Sequence, residues 1–99
     1  MDIDDLINRI IEGDSYRKIS KDIGVPVTTI HDFLNKPEHS ARTRDALLTS
    51  AESYVDKAED TLILADSDPV EISRAKELSQ FYKWKASKRS PKKYGDKLD

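Results

Sequence analysis

Apolar positions near the start of the chain, Ile3, Leu6, Ile7, Ile10 and Ile11, recur at spacings of three and four, which is the pattern of one helix face. Gly13-Asp14 ends that stripe. Ser15 is a good N-cap for a second helix carrying Tyr16, Ile19 and Ile23, and Gly24 is the residue type best able to close it with a positive φ. After a very short turn, Pro26 suits the first turn of a third helix whose buried side is Val27, Ile30 and Phe33-Leu34. From Ala41 onward Leu47, Ala51, Tyr54-Val55, Ala58, Leu62 and Ala65 keep helical spacing, which predicts a helix longer than the average. Asp66-Ser67-Asp68-Pro69 stops it and starts the next, with Asp68 as N-cap and Pro69 in the first helical position. The last helix carries Ile72, Ala75, Leu78, Phe81-Tyr82 and Trp84 and is limited by Pro91. So short a link makes the two long helices antiparallel, and the expected fold class is all-α.

Asn35 to Ser40 lacks apolar periodicity and contains Pro37, so it reads as a boundary. The expected organisation is a helix-turn-helix domain at 1–36, a linker at 37–41, a helical hairpin at 42–90 and a basic tail at 91–99. Ninety-nine residues that are 36% hydrophobic and 36% charged are few for two full domains and polar for one thick core, so partner subunits are expected to complete the burial. Cysteine is absent, which removes disulfides, thiolate metal sites and a cysteine nucleophile, and fits a reducing cytoplasm. The acidic start Met1-Asp2-Ile3-Asp4-Asp5 is wrong for a signal peptide, and no apolar run approaches the roughly 18 residues of a membrane span. Charge is uneven. Residues 1–36 carry five Lys/Arg against seven Asp/Glu, 37–69 three against eight, and 70–99 nine against four, giving −2, −5 and +5.

A helix-turn-helix places size demands on about twenty residues. Tyr16 to Asn35 meets them: Ser20 is small where the helices approach, Gly24 opens the turn, and Ile19, Ile23, Val25, Val27, Ile30 and Phe33 fill the positions expected to be apolar. The third helix would then present Thr28, Thr29, His31, Asp32 and Lys36, and the second Arg17, Lys18 and Lys21, all able to meet phosphates or base edges except Asp32, which repels phosphate unless it reads a cytosine amino group. Such a surface is weakly basic, so one copy binds feebly. Several linked copies gain roughly 10²–10⁴ in avidity.

At the C-terminal end, Tyr82-Lys83-Trp84-Lys85-Ala86-Ser87-Lys88 and Ser90-Pro91-Lys92-Lys93-Tyr94-Gly95-Asp96-Lys97 resemble the W-x-A-S-K and P-K-K-Y-G-D-K signature of phage terminase small subunits. Ala51-Glu52-Ser53-Tyr54 and Glu59 to Asp66 are similar to that family's central region, so the resemblance spans nearly the whole chain. It implies a DNA-recognition subunit of a packaging motor, without cofactor. Double-stranded viral DNA would be its ligand at the packaging-initiation site, and the terminase large subunit, holder of the ATPase and nuclease, its partner in the cytoplasm of the infected bacterial host. It also implies a closed homo-oligomeric ring, of about eight to ten protomers, built by the central hairpins; Leu47, Ala51, Tyr54, Ala58, Leu62, Ile72, Leu78 and Tyr82 are the candidate assembly residues. Family members carry further residues after the tail motif, whereas this sequence stops at Leu98-Asp99, as a naturally short member or a truncated one would.

Other readings are weaker. His31 and His39 are the only histidines, no glycine-rich phosphate loop is present, and no enzyme is expected. Glu52, Asp56, Glu59 and Asp60 read as a solvated helix face and not a metal site. Trp84 beside Lys83 and Lys85 has the chemistry to stack on a base of single-stranded nucleic acid, but its helical spacing from Phe81 and Leu78 favours packing. The basic run from Lys83 to Lys97 suits either DNA phosphates or the acidic middle segment. The alternative functions are a phage or prophage helix-turn-helix repressor, dimeric on palindromic half-sites, and a protein adaptor that binds no DNA.

Overall fold

Capping residues divide the chain into helices much as the periodicity predicts. The structure, a computed structural model, describes residues 1–95. Its helices are α1 (Ile3–Ile11), α2 (Tyr16–Ile23), α3 (Val27–Leu34), α4 (Pro37–Ile63) and α5 (Pro69–Arg89), followed by a short π-helical turn, Pro91–Gly95. No strand occurs among the described residues, and the all-α expectation holds. Asp96 and Lys97, the last letters of the tail motif, lie outside the described residues. The chain divides into two compact units, Met1–Ser50 and Ala51–Asp99.

In the first unit Asp2 caps α1 by accepting from the Asp4 N–H, and Ser15 caps α2 by accepting from the Lys18 N–H. Gly24 closes α2 at φ 70°, ψ 27°, and its N–H returns to the Ser20 carbonyl. A Cβ there meets nothing within 4 Å, so glycine is required by backbone conformation and not by space. Pro26 stands just before α3, at φ −57°, and its carbonyl accepts from Ile30. Leu6, Ile7, Ile10, Ile19, Ile30, Leu34 and Ala46 form the core, with Ile3, Tyr16, Val25, Phe33 and Leu47 packed around it. Each fully buried aliphatic side chain contributes about 1.5–3 kcal/mol. Ile23 and Val27, expected to be buried, remain about 40% exposed. They stand at the two ends of the α2–α3 turn, where each helix has already left the cluster held by Ile19 and Ile30.

The linker expected at 37–41 is helical. Pro37 opens α4, where its missing N–H is one that no helix pairs, and the His39 and Ser40 N–H groups both donate to the Lys36 carbonyl at 2.9 Å. The buried Thr43 hydroxyl lies 2.9 Å from the His39 carbonyl and 3.1 Å from the Leu34 carbonyl, so the end of α3 is fastened to the head of α4. A hydrogen-bonded pair, Arg42 to Asp4 at 2.6 Å, ties α4 to α1. The compact division falls at Ser50, inside α4, and not at 37–41.

Polar contacts complete this unit. The Arg9 guanidinium donates to Asp14 at 3.0 Å and to Asp22, and Lys18 reaches Asp22 at 3.2 Å. The hydrogen bond from Arg9, then that from Lys18, holds the Asp22 carboxyl below the ordinary carboxylate range, and Asp22 in turn raises Arg9.

In the second unit the buried positions are small: Ala51, Ala58, Ala75, Ser79 and Ala86. Such residues let helices approach closely. Tyr54 of α4 stacks on Tyr82 of α5 at 6.0 Å, and Glu52 accepts from Lys93 at 3.1 Å, so this part of α4 and α5 lie antiparallel. Asp68 caps α5 through the Val70 N–H with Pro69 in its first turn, as expected. Leu62, Ile72, Leu78, Phe81 and Trp84 stay exposed. Trp84 stacks on Phe81, one of the two residues its spacing pointed to, but both rings stay about half exposed because alanines and a serine fill the covered face of α5.

Two outcomes follow from these contacts. The depressed Asp22 contributes stability that is fully present above its unfolded value, about pH 4, and lost as pH falls through the folded one. Thermal melts of Asp22→Asn are therefore expected to fall less than wild type on acidification through and below pH ~4; parallel declines would reject the pairing. The buried Ser79 hydroxyl meets no hydrogen-bond partner among the described residues, a penalty of about 1–3 kcal/mol. Ser79→Ala is expected to be neutral or stabilising in denaturant titration.

Candidate nucleic-acid interface

The geometry of α2 and α3 follows from one turn. Gly24 reverses the chain, Val25 packs on the core, and Ile19 and Ile30 are fully buried, which fixes one helix against the other and turns their opposite faces outward. Thr28, Thr29, His31, Asp32 and Lys36 are all exposed, as are Arg17, Lys18 and Lys21, so every residue predicted for DNA contact is at the surface. Their availability differs. Among the described residues Arg17 and Lys21 have no carboxylate within ion-pair reach, whereas Lys18 is 3.2 Å from Asp22 and 3.9 Å from Asp14. The Lys36 ammonium rests over the Phe33 ring at 5.4 Å. His31 faces the Asn35 amide at 3.1 Å and lies 3.7 Å from Asp32. That amide also donates to the His31 carbonyl at 2.9 Å, closing α3.

Electrostatics on this face are set by residues that sequence spacing did not single out. Asp14 and Asp22 would otherwise stand beside Arg17 and Lys21 as repulsive charges toward phosphate; Arg9 from α1 and Lys18 from α2 together balance their two charges. Asp32 keeps its exposed carboxylate and discourages phosphate at the middle of α3. The start of α3 has no side-chain cap, so the N–H groups of its exposed first residues, Val27, Thr28 and Thr29, have no cap acceptor at the positive end of the helix dipole. The arrangement is suited to holding a phosphate at the α3 N-terminus and offering Thr28, Thr29 and His31 to what lies beyond. No signal in the sequence marks Arg9 as part of this set, because its partner Asp22 is thirteen positions away.

The candidate assembly residues separate into groups. Ala51 and Ala58 are buried within the protomer and Leu47 packs on the first unit's core. Tyr54 and Tyr82 stack on one another and are half-buried. Leu62, Ile72 and Leu78 are exposed, together with Ile63, Leu64 and Val70, which the stripe did not include. No helix among the described residues is long and apolar enough to cross a membrane.

Comparison with known proteins bears on the whole chain. Among solved structures, two variants of the terminase small subunit gp1 of the bacterial virus Sf6 are similar. The lysine-to-glutamate variant superposes with a TM-score of 0.64 at 25% identity, over 98% of this chain and 80% of that one. The aspartate-to-arginine variant gives 0.62 at 25% identity, over 98% and 76%. Comparison with curated proteins returns no match. The family described as bacteriophage Sf6, terminase small subunit-like, matches residues 2–99. A match over that span, on a chain whose helices superpose on a solved terminase small subunit, makes this protein a member of the Sf6 terminase small subunit-like family.

Proposed function

We propose that this chain recognises the packaging-initiation site of a viral genome and presents that DNA to the terminase large subunit, in the cytoplasm of an infected bacterium. The observation that carries the reading is the exposed α2–α3 surface on a chain that matches the family over residues 2–99. In this reading the protein acts by binding and leaves ATP hydrolysis and cleavage to its partner. Arg17, Lys21 and the N-terminus of α3 position the duplex through phosphates, Lys18 and Lys36 add to the field, and Thr28, Thr29 and His31 read base edges. The 1–36 segment is thus the DNA-binding part, and residues from 42 onward gather the copies.

Affinity then depends on number. With Lys18 shared with Asp22 and Asp32 unneutralised, one protomer makes few net phosphate contacts. Joining protomers raises avidity by roughly 10²–10⁴ where several sites engage one duplex. Leu62, Ile72 and Leu78 are the apolar positions left for neighbours, and a closed ring of about eight to ten copies satisfies a head-to-tail contact without leaving a free end.

Two measurements test this. Titration with a packaging-site fragment is expected to show steeply salt-dependent binding. Arg17→Ala and Lys21→Ala should weaken it on every duplex and reduce the salt slope by about 0.9 per lost phosphate contact. Thr29→Ala and His31→Ala should cost about 1–3 kcal/mol on the cognate site only. Equal effects on all sequences would remove the recognition assignment from α3, and salt-insensitive or absent binding would favour the protein adaptor. Native mass spectrometry is expected to show an assembly larger than a dimer; a stable dimer at every concentration would favour the repressor.

A further inference from the structure

The second unit carries a surface that duplex reading by α2 and α3 does not use. From Phe81 to Gly95 the chain has six cations and no carboxylate. Lys93 pairs with Glu52, but among the described residues Lys83, Lys85, Lys88 and Lys92 have no carboxylate within ion-pair reach. Between them stand two exposed aromatic rings, Phe81 and Trp84, 50% and 54% accessible, stacked with centroids 6.2 Å apart and planes 26° from parallel. The Lys85 ammonium lies 6.0 Å from the Phe81 ring centre and the Lys88 ammonium 5.6 Å from that of Trp84. Helical spacing accounts for the set, since Phe81 and Lys85, and Trp84 and Lys88, are each one turn apart.

We infer that this face of α5 is a second nucleic-acid site, one that binds a single strand, with a base stacked on the Phe81–Trp84 pair and the flanking phosphates on Lys85 and Lys88. The choice of occupant follows from what the face presents. An apolar partner would strip water from ammonium groups that have no counter-charge. An acidic peptide would pair with the lysines but leave the rings uncovered. A duplex supplies phosphates while its bases stay paired and stacked. A single strand brings anions and flat faces together, and base stacking on an exposed aromatic exceeds the weak solvent-exposed cation–π contacts it replaces.

Trp84 is the only tryptophan, so the intact protein reports on this face directly. Titration at low salt with an oligothymidylate of about 16 nucleotides is expected to quench its fluorescence to saturation, and a duplex of equal length to leave it nearly unchanged. Replacing Lys85 and Lys88 together by alanine should reduce the salt slope of strand binding by about 1.4, at roughly 0.7 per phosphate. Trp84→Ala, read by anisotropy of a labelled strand, should weaken binding about tenfold, while Arg17→Ala should weaken duplex binding alone. Absence of duplex binding by the unsubstituted protein, with its strand binding intact, would refute the packaging-site reading and leave this one standing. No quenching at low salt, equal quenching by duplex, or unchanged affinity in the lysine variant would overturn the inference. So would a fall in native mass of that variant at unchanged strand affinity, which would make the face a contact between copies.

Discussion

The turn between α2 and α3 is the constraint on which the functional surface depends. Ile19 and Ile30 are both fully buried, and they reach one cluster only because Gly24 takes a left-handed conformation that a side chain disfavours. Everything outward of that contact is placed by it: Arg17 and Lys21 on one helix, Thr28, Thr29 and His31 on the other. The Arg9 bridge to Asp14 and Asp22 then adjusts the charge of a surface whose shape is already set.

Charge and burial are handled differently in the two units. The first has a core of branched aliphatic side chains and spends its ion pairs on its own helices. The second buries alanines and a serine, so its exposed face keeps large apolar side chains, and among the described residues most of its lysines have no carboxylate within ion-pair reach. A helix pair that seats only small residues gains little from each, and its stability rests on close approach and on the Tyr54–Tyr82 stack.

Local chemistry in the sequence was legible where the deciding partner is a near neighbour. Ser15, Gly24, Asp68 and Pro69 act within a few residues of themselves, and each stands where its type predicts. Pro37 is ambiguous in the sequence because a proline breaks a helix or begins one, and the difference lies in Thr43 reaching back to the Leu34 carbonyl, a contact nine positions long. Periodicity placed Ile23 and Val27 on the correct side of their helices without saying that the core ends before it reaches them. For the same reason Trp84 keeps its regular spacing from Phe81, on which it stacks, and still stays 54% exposed. The Arg9–Asp22 bond joins two helices and leaves no periodic trace, so the neutralised acids beside Arg17 and Lys21 were invisible until the chain was folded.

Helices α2 and α3 are eight residues each, well short of the roughly 12–15 that an isolated helix needs to hold together in water. Each depends for its helical form on the core that α1 and the head of α4 complete around Ile19 and Ile30. The recognition element is for that reason not portable: moved to another scaffold without those flanks it would be a coil. Amide protons along α2 and α3 should then exchange together with those of the whole first unit, so that occupying the surface with DNA tightens the entire unit and not the contact residues alone.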